Sequence, residues 1–292
     1  MKVLHTIEET RALCRQAQRE GKVIGFVPTM GALHDGHLSL VRAARSQTNF
    51  VVVSIFVNPL QFGPNEDLAK YPRTFERDCE LLKAEGVTAI FAPTPEEMYP
   101  TNAATFVEVE GLPQKLEGRT RPTHFRGVTT VVAKLFNVVR PDFAYFGQKD
   151  AQQVVILSKM VRDLNMDVRI VVMPIVRERD GLAMSSRNRY LDAEHRRQGL
   201  VLYRALTRIQ TLADQGERRA ARLLEEGKSV VAEGPEVRLD YLEIVDRETL
   251  DPIEDVSRGA LVAIAAFVGP TRLIDNTVLM GAGEAEVGAR NR

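Results

Sequence analysis

Residues Phe50–Val57 (FVVVSIFV) form an unbroken, mostly β-branched apolar run. A strand of this kind has no polar face to offer water, so it must be covered on both sides, as crossover helices cover a parallel sheet. A second apolar run, Val23–Thr29 (VIGFVPT), precedes it, and His37–Ser46 (HLSLVRAARS) between them has helical composition. That is a βαβ unit, and the alternation repeats. Residues 87–92 read as a strand and 128–139 as a helix, with apolar residues at 128, 131, 132, 135, 136 and 139. Strand, helix and strand follow at 144–146, 151–164 and 168–175. The expected fold class is α/β, with a doubly wound, Rossmann-like parallel sheet over residues 1–175.

The pattern changes after Pro174. Two polar helices, near 192–215 and 217–232, lead into apolar strands near 237–245, 260–267 and 272–279 with no helices between them. This predicts a second, smaller α+β domain over 176–283 with antiparallel pairing, able to act as a lid. A flexible tail is expected at 284–292. At the other end, 6–20 reads as a surface helix, with Thr6 as cap and Glu9 completing a capping box.

Bulk properties narrow the function classes. Lys plus Arg and Asp plus Glu both count 39 in a chain of 292, so the net charge is zero and nothing points to a nucleic-acid or membrane-surface partner. Cys14 and Cys79 share no CxxC spacing, which suits free thiols in the cytoplasm. Met1–Glu20 lacks an apolar signal-peptide core, and no stretch approaches the roughly 18 apolar residues that span a bilayer.

The segment Pro28–His37 (PTMGALHDGH) leaves a strand and enters a helix, at the strand end where open α/β sheets bind ligands. His34-Asp35-Gly36-His37 lies at the helix start, where backbone N–H groups and the dipole favour phosphate. Two imidazoles there can donate hydrogen bonds to phosphoryl oxygens as charge develops. His-x-x-His is also half of a metal site, but the Glu of HExxH is missing, and a structural histidine pair is the other plain alternative. There is no GxxxxGK[ST] and no GxGxxG, so a P-loop kinase and a nicotinamide dehydrogenase lose their main support.

Three more segments stand out. Phe146-Gly147-Gln148-Lys149-Asp150 puts a cation between strand and helix. Ala183-Met184-Ser185-Ser186-Arg187 follows an Arg-Asp-Gly turn, and its arginine fork suits phosphate. The 177–188 stretch carries little apolar anchoring, so it is expected to be mobile without nucleotide. In Asn58-Pro59-Leu60-Gln61, the Gln61 amide both donates and accepts, which suits a hydroxy acid, though an ordinary loop glutamine would look the same. Of the pair Gln152-Gln153, one should face the sheet edge.

In order and spacing, PTMGALHDGH, SIFVNPLQF, DLAKYPRT, RPTHFRGV, FGQKDAQQ and DGLAMSSRN resemble the pantothenate synthetase (pantoate–β-alanine ligase) family. The likeness is dense from Val23 to Asn188 and looser to RLIDN at 272–276. His34–His37 looks like the HxGH signature of the nucleotidyltransferase superfamily, and MSSR like its mobile loop. The resemblance implies that ATP meets the segment Met30, Gly31, Ala32, Leu33, His34, Asp35, Gly36 and His37. It adds Gly147, Gln148, Lys149, Asp150 and Val176, and the loop Met184, Ser185, Ser186 and Arg187. His37 would be the favoured catalytic residue, with His34, Lys149 and Arg187 beside it. Gln61 and Gln153 would hold pantoate. It further implies Mg-ATP, β-alanine as the second substrate, a pantoyl-adenylate intermediate and a homodimer. Two departures stand out: Gln148, where relatives often carry Glu, and Arg77 beside Asp78, where some relatives have two acidic residues linked to magnesium. No protein metal ligand is therefore assigned. The alternative is a nucleotidyltransferase of the same superfamily acting on another small substrate; a non-catalytic nucleotide-binding module would not need both histidines, Lys149 and Arg187.

Overall fold

The computed structural model describes residues 1–63, 66 and 68–281. The tail expected at 284–292 lies outside the described residues, as do the last two positions of the expected second domain. The chain forms two compact units. The first comprises Met1–Gln114, Gly118–Gln148 and Gln153–Val176, and the second comprises Lys115–Glu117, Lys149–Gln152 and the chain from Arg177 onward.

Along the chain up to Val176 the elements are β1 (Lys2–Leu4), α1 (Ile7–Arg19), β2 (Ile24–Thr29), α2 (Asp35–Gln47), β3 (Phe50–Ile55), α3 (Phe75–Ala84) and β4 (Ala89–Phe91). After them come α4 (Pro95–Met98), α5 (Glu117–Thr120), α6 (His124–Val139), β5 (Phe143–Gly147), α7 (Ala151–Asp163) and β6 (Arg169–Met173). The strands form one parallel sheet in the order β1-β4-β3-β2-β5-β6. Side-chain alternation explains why β2 and β3 read as continuous apolar runs. Phe26 and Val52 join a core with residues of α1, α6 and α7, while Val27, Val51 and Val53 join another with residues of α2 and α3.

From β2 the chain steps outward through β3 to β4, then returns to the far side of β2 for β5 and β6. The point of reversal, between β2 and β5, is where an open parallel sheet leaves a crevice at its carboxyl edge. Pairing between these two strands covers only Gly25–Phe143 and Phe26–Ala144. The α1 cap forms as its sequence predicts: Glu9 N–H donates to Thr6 Oγ1 at 3.2 Å, and Thr6 N–H to Glu9 Oε2 at 3.2 Å. Cys14 and Cys79 are free thiols, and burial pushes Cys14 up to about 12.

The second unit holds α8 (Ala193–Asp214), α9 (Ala220–Val231) and an antiparallel sheet β7-β8-β9 (Val237–Val245, Ala260–Val268, Thr271–Leu279). Leu202, Leu206 and Ile209 of α8 and Leu223 of α9 share a core with Val262 and Ile264. The short segment Lys115–Glu117 belongs here for an electrostatic reason. Arg272 grips the Glu117 carboxylate with two nitrogens, at 2.6 and 2.8 Å, and Asp240 at 2.7 Å, while the Tyr241 hydroxyl donates to Glu117 at 2.7 Å. Burial and the Glu117 charge hold the Tyr241 phenol far above its usual range, so it stays a donor. Gln152 completes the clamp: its Oε1 accepts from Glu117 N–H at 2.9 Å and its Nε2 donates to Lys115 O at 2.7 Å. Among the described residues no helix is long and apolar enough to cross a membrane.

Candidate active site

The carboxyl end of β2 turns sharply into α2. The Thr29 hydroxyl donates to Ser54 O on β3 at 2.8 Å and accepts from Gly31 N–H at 3.2 Å. Gly31 and Ala32 then take positive φ, +83° and +52°. Glycine adopts that region at no steric cost; alanine resists it, so something must hold Ala32 there. The holder is Asp78, on α3. Its Oδ2 accepts from Ala32 N–H and its Oδ1 from Leu33 N–H, both at 2.9 Å.

His34 caps α2. Its Nδ1 accepts from Gly36 N–H at 3.2 Å, and His37 Nδ1 accepts from His34 N–H at 3.3 Å. This is a capping box built from two imidazoles, whose ring centres lie 4.1 Å apart. A nitrogen that accepts carries no proton. Each neutral ring therefore holds its proton on Nε2 and offers that group as a donor. Asp35, in the first turn of α2, is exposed and lies 3.9 Å from Arg42.

Gln61 follows β3 in a short 3-10 turn, Pro59–Gln61. It is only 9% exposed, and its amide is oriented by a chain of hydrogen bonds. The Tyr99 hydroxyl donates to Asn58 Oδ1 at 2.8 Å, and Asn58 Nδ2 donates to Gln61 Oε1 at 3.0 Å and to Gly127 O at 3.1 Å. Burial raises the Tyr99 phenol well above its ordinary range, so the hydroxyl keeps its proton. With Oε1 engaged by Asn58, Gln61 turns Nε2 toward Met30, 3.1 Å from its sulfur. Gln61 thus presents a donor next to the β2 turn, which suits a carboxylate, carbonyl or hydroxyl oxygen. Its own carbonyl meets His124 Nδ1 at 2.9 Å.

Gly147 ends β5 with open space where a Cβ would stand, and Gln148–Asp150 form a 3-10 turn. Lys149 is half-buried, and its carbonyl accepts from Asn276 Nδ2 at 3.0 Å. Val176 is half-buried just past β6. Of the two adjacent glutamines, Gln152 is consumed in the Lys115–Glu117 clamp, which leaves Gln153 as the half-buried one.

The 177–188 stretch differs from expectation, because it has apolar anchoring. Leu182 and Ala183 are 4% and 5% exposed, and Leu182 belongs to the core of the second unit. Arg177 bridges to Ala183 and grips Asp275 with two nitrogens, at 2.6 and 3.0 Å. Asn188 donates to Glu178 at 2.8 Å, and Arg196 holds Glu178 and Asp180, both at 2.7 Å. The serines and arginine start only after this pinned base: Ser185 Oγ accepts from Arg187 N–H at 3.2 Å and caps a 3-10 turn. A polar composition concealed a single deeply buried leucine.

Within the first unit, Met30 and Gln61 meet, and His34 and His37 share one turn. Sequence reading missed Asp78, Asn58, Tyr99 and His124 as supports of these residues. Only the Asn58–Gln61 spacing within NPLQ carried a signal; the partners on α3, α4–loop and α6 are remote in sequence. Among the described residues no cluster of three or more His, Cys, Asp or Glu is placed to hold a metal ion.

A family model described as pantoate-beta-alanine ligase matches residues 2–278. The chain is 63% identical over 285 residues to pantothenate synthetase of Koribacter versatilis, covering 98% of each. Its fold superposes on the pantothenate synthetase of Thermus thermophilus with a TM-score of 0.91 at 51% identity, over 95% of this chain and 99% of that one. For the pantoate-beta-alanine ligase of Francisella tularensis, whose structure is described as a complex with beta-gamma ATP and beta-alanine, the TM-score is 0.79 at 32% identity, over 95% and 97%. With a family model spanning nearly the whole chain and relatives this similar from end to end, the chain belongs to the pantoate-beta-alanine ligase family.

Proposed function

We propose that this protein joins pantoate to β-alanine at the expense of ATP, through an enzyme-bound pantoyl adenylate. The observation that carries this reading is the imidazole pair at the start of α2, whose backbone-held Nδ1 atoms turn both Nε2–H groups into donors. A carboxylate oxygen of pantoate attacks the α-phosphorus, the α–β bridging P–O bond breaks, and pyrophosphate leaves. His34, His37 and the α2 N-terminus stabilise the charge that moves onto the leaving group. Lys149 and Arg187 are assigned to the phosphates, with Met30–His37, Gly147–Asp150, Val176 and Met184–Arg187 around the nucleotide. The amine of β-alanine then attacks the pantoyl carbonyl, and AMP leaves. No covalent enzyme intermediate is needed.

Pantoate is assigned to Gln61 and Gln153. Gln61→Ala should weaken pantoate binding about tenfold or more, the scale of a lost hydrogen bond to a charged group, and leave ATP binding within a factor of two. Calorimetry with each ligand checks this, and loss of ATP affinity with pantoate affinity intact reverses the assignment.

Magnesium fits this chain as a companion of the triphosphate rather than a resident ion. The buried acid nearest the turn, Asp78, has both oxygens bonded to backbone amides, and Arg77 beside it is exposed. The protein is further proposed to act in the cytoplasm as a homodimer.

The test is isotope exchange. Labelled pyrophosphate should enter ATP only when pantoate is present, with no need for β-alanine. Adding β-alanine should convert the trapped adenylate to pantothenate and AMP. Exchange without AMP release on adding the amine indicates a nucleotidyltransferase, and label from the pantoate carboxylate appearing in inorganic phosphate rather than AMP indicates an acyl phosphate.

A further inference from the structure

We propose that Asp78 is a positioning residue that sets the β2–α2 turn in its working shape, and that it does not bind metal. The proposal rests on the reading that this turn handles the nucleotide. Asp78 sits in the first turns of α3 and is 1% exposed. One oxygen accepts the amide of Ala32, the other that of Leu33, and the Thr74 hydroxyl lies 3.2 Å from Oδ1. The carboxylate is thus saturated from within the protein, as a buried charge must be.

Three features of the turn follow from this one side chain. Ala32 is held at φ +52°, where a Cβ is disfavoured. Asp78 also narrows the space at Gly31, where a Cβ would stand 3.1 Å from Asp78 Oδ2 and 3.1 Å from Ile55 Cγ2, on top of the strain of φ +83°. The amides of Ala32 and Leu33 point at Asp78, so these two residues serve a nucleotide through backbone shape and not through those N–H groups. The next residue, His34, caps α2, so an error in the turn is transmitted directly to the His34–His37 pair.

Asp78→Asn keeps the shape but offers one acceptor and places an NH2 against a backbone N–H. Single-turnover adenylate formation should fall about tenfold, while pantoate KM and the magnesium half-saturation stay within about threefold. Ala32→Gly in the Asp78→Asn background should recover a substantial part of that loss, because glycine adopts positive φ without the holder. Should Asp78→Asn fail to fold, Asp78→Glu keeps the charge but displaces both acceptors from the Ala32 and Leu33 amides, and should give the same kcat-specific loss. A tenfold shift in magnesium half-saturation, absence of rescue by Ala32→Gly, or undiminished adenylation in Asp78→Asn each overturns the proposal. Absence of pyrophosphate exchange in the unmodified enzyme would instead overturn the functional reading on which it stands.

Discussion

His37→Ala lowers the rate of adenylate formation by about 100-fold or more, the scale for removing a preorganised transition-state donor. The expectation rests on how the ring is held. His37 stands in the first turn of α2, half-buried, with Nδ1 committed to His34 N–H. Its orientation therefore costs nothing at the moment of reaction, and Nε2 is the ring's protonated nitrogen. Alanine removes that donor and also releases the His34 amide, loosening the partner ring 4.1 Å away. Both effects act on charge that develops in the transition state, so kcat should fall while ATP affinity changes little. His37→Gln, which restores a donor without the ring, should recover part of the loss. Single-turnover formation of pantoyl adenylate is the measurement, and a near-normal rate in folded His37→Ala removes His37 from the chemistry.

What could be read in advance follows from where the driving force lies. β2, β3 and β8 announce themselves because their burial is apolar and nearly continuous, while β7 and β9 are buried only at intervals and show as mixed apolar runs beside β8. β1 is three residues at a sheet edge, too short for any periodicity. α3 packs Phe75, Cys79, Leu81 and Leu82 on the core, but the stripe is short and interrupted by charged residues, so a ten-residue helix with it is easily passed over. The apolar spacing predicts α6 from Val128, but the helix begins at His124, in a first turn that buries His124, Phe125 and Gly127 around the charged Arg126. The site divides in the same way. Residues on turns within a motif, such as His34, His37 and Gln61, are legible because a short spacing carries their chemistry. Asp78 is not, since its partners Ala32 and Leu33 are brought to it only by the packing of α2 and α3 against one face of the sheet. Hydrogen bonds between residues this far apart leave no pattern in a single sequence.

Gly127→Ala is expected to destabilise the protein by about 3 kcal/mol, the upper end for overpacking because the opposing atoms are backbone, and to lower pantoate affinity about tenfold or more, as loss of the Gln61 donor does. Gly127 lies on α6 where the helix passes the 3-10 turn that carries Gln61. A Cβ there would stand 2.3 Å from Leu60 O and 2.6 Å from Gln61 N, distances that no rotamer change can relieve. Either α6 or the Leu60–Gln61 peptide must move. The same residue lends its carbonyl to Asn58 Nδ2, and Asn58 in turn orients the Gln61 amide, so the displacement also breaks the relay from Tyr99. Gln61 would lose both its place and its polarity, and with them the donor directed at Met30. The His34–His37 cap is built on bonds of its own within α2, so ATP affinity should stay within a factor of about three. Gly147, with open space at its Cβ, is the control: Gly147→Ala should leave stability within about 0.5 kcal/mol. Thermal unfolding and calorimetric titration with pantoate and with ATP check the set. If Gly127→Ala keeps pantoate affinity, α6 does not position Gln61, and the donor assigned to the acid substrate must be sought elsewhere.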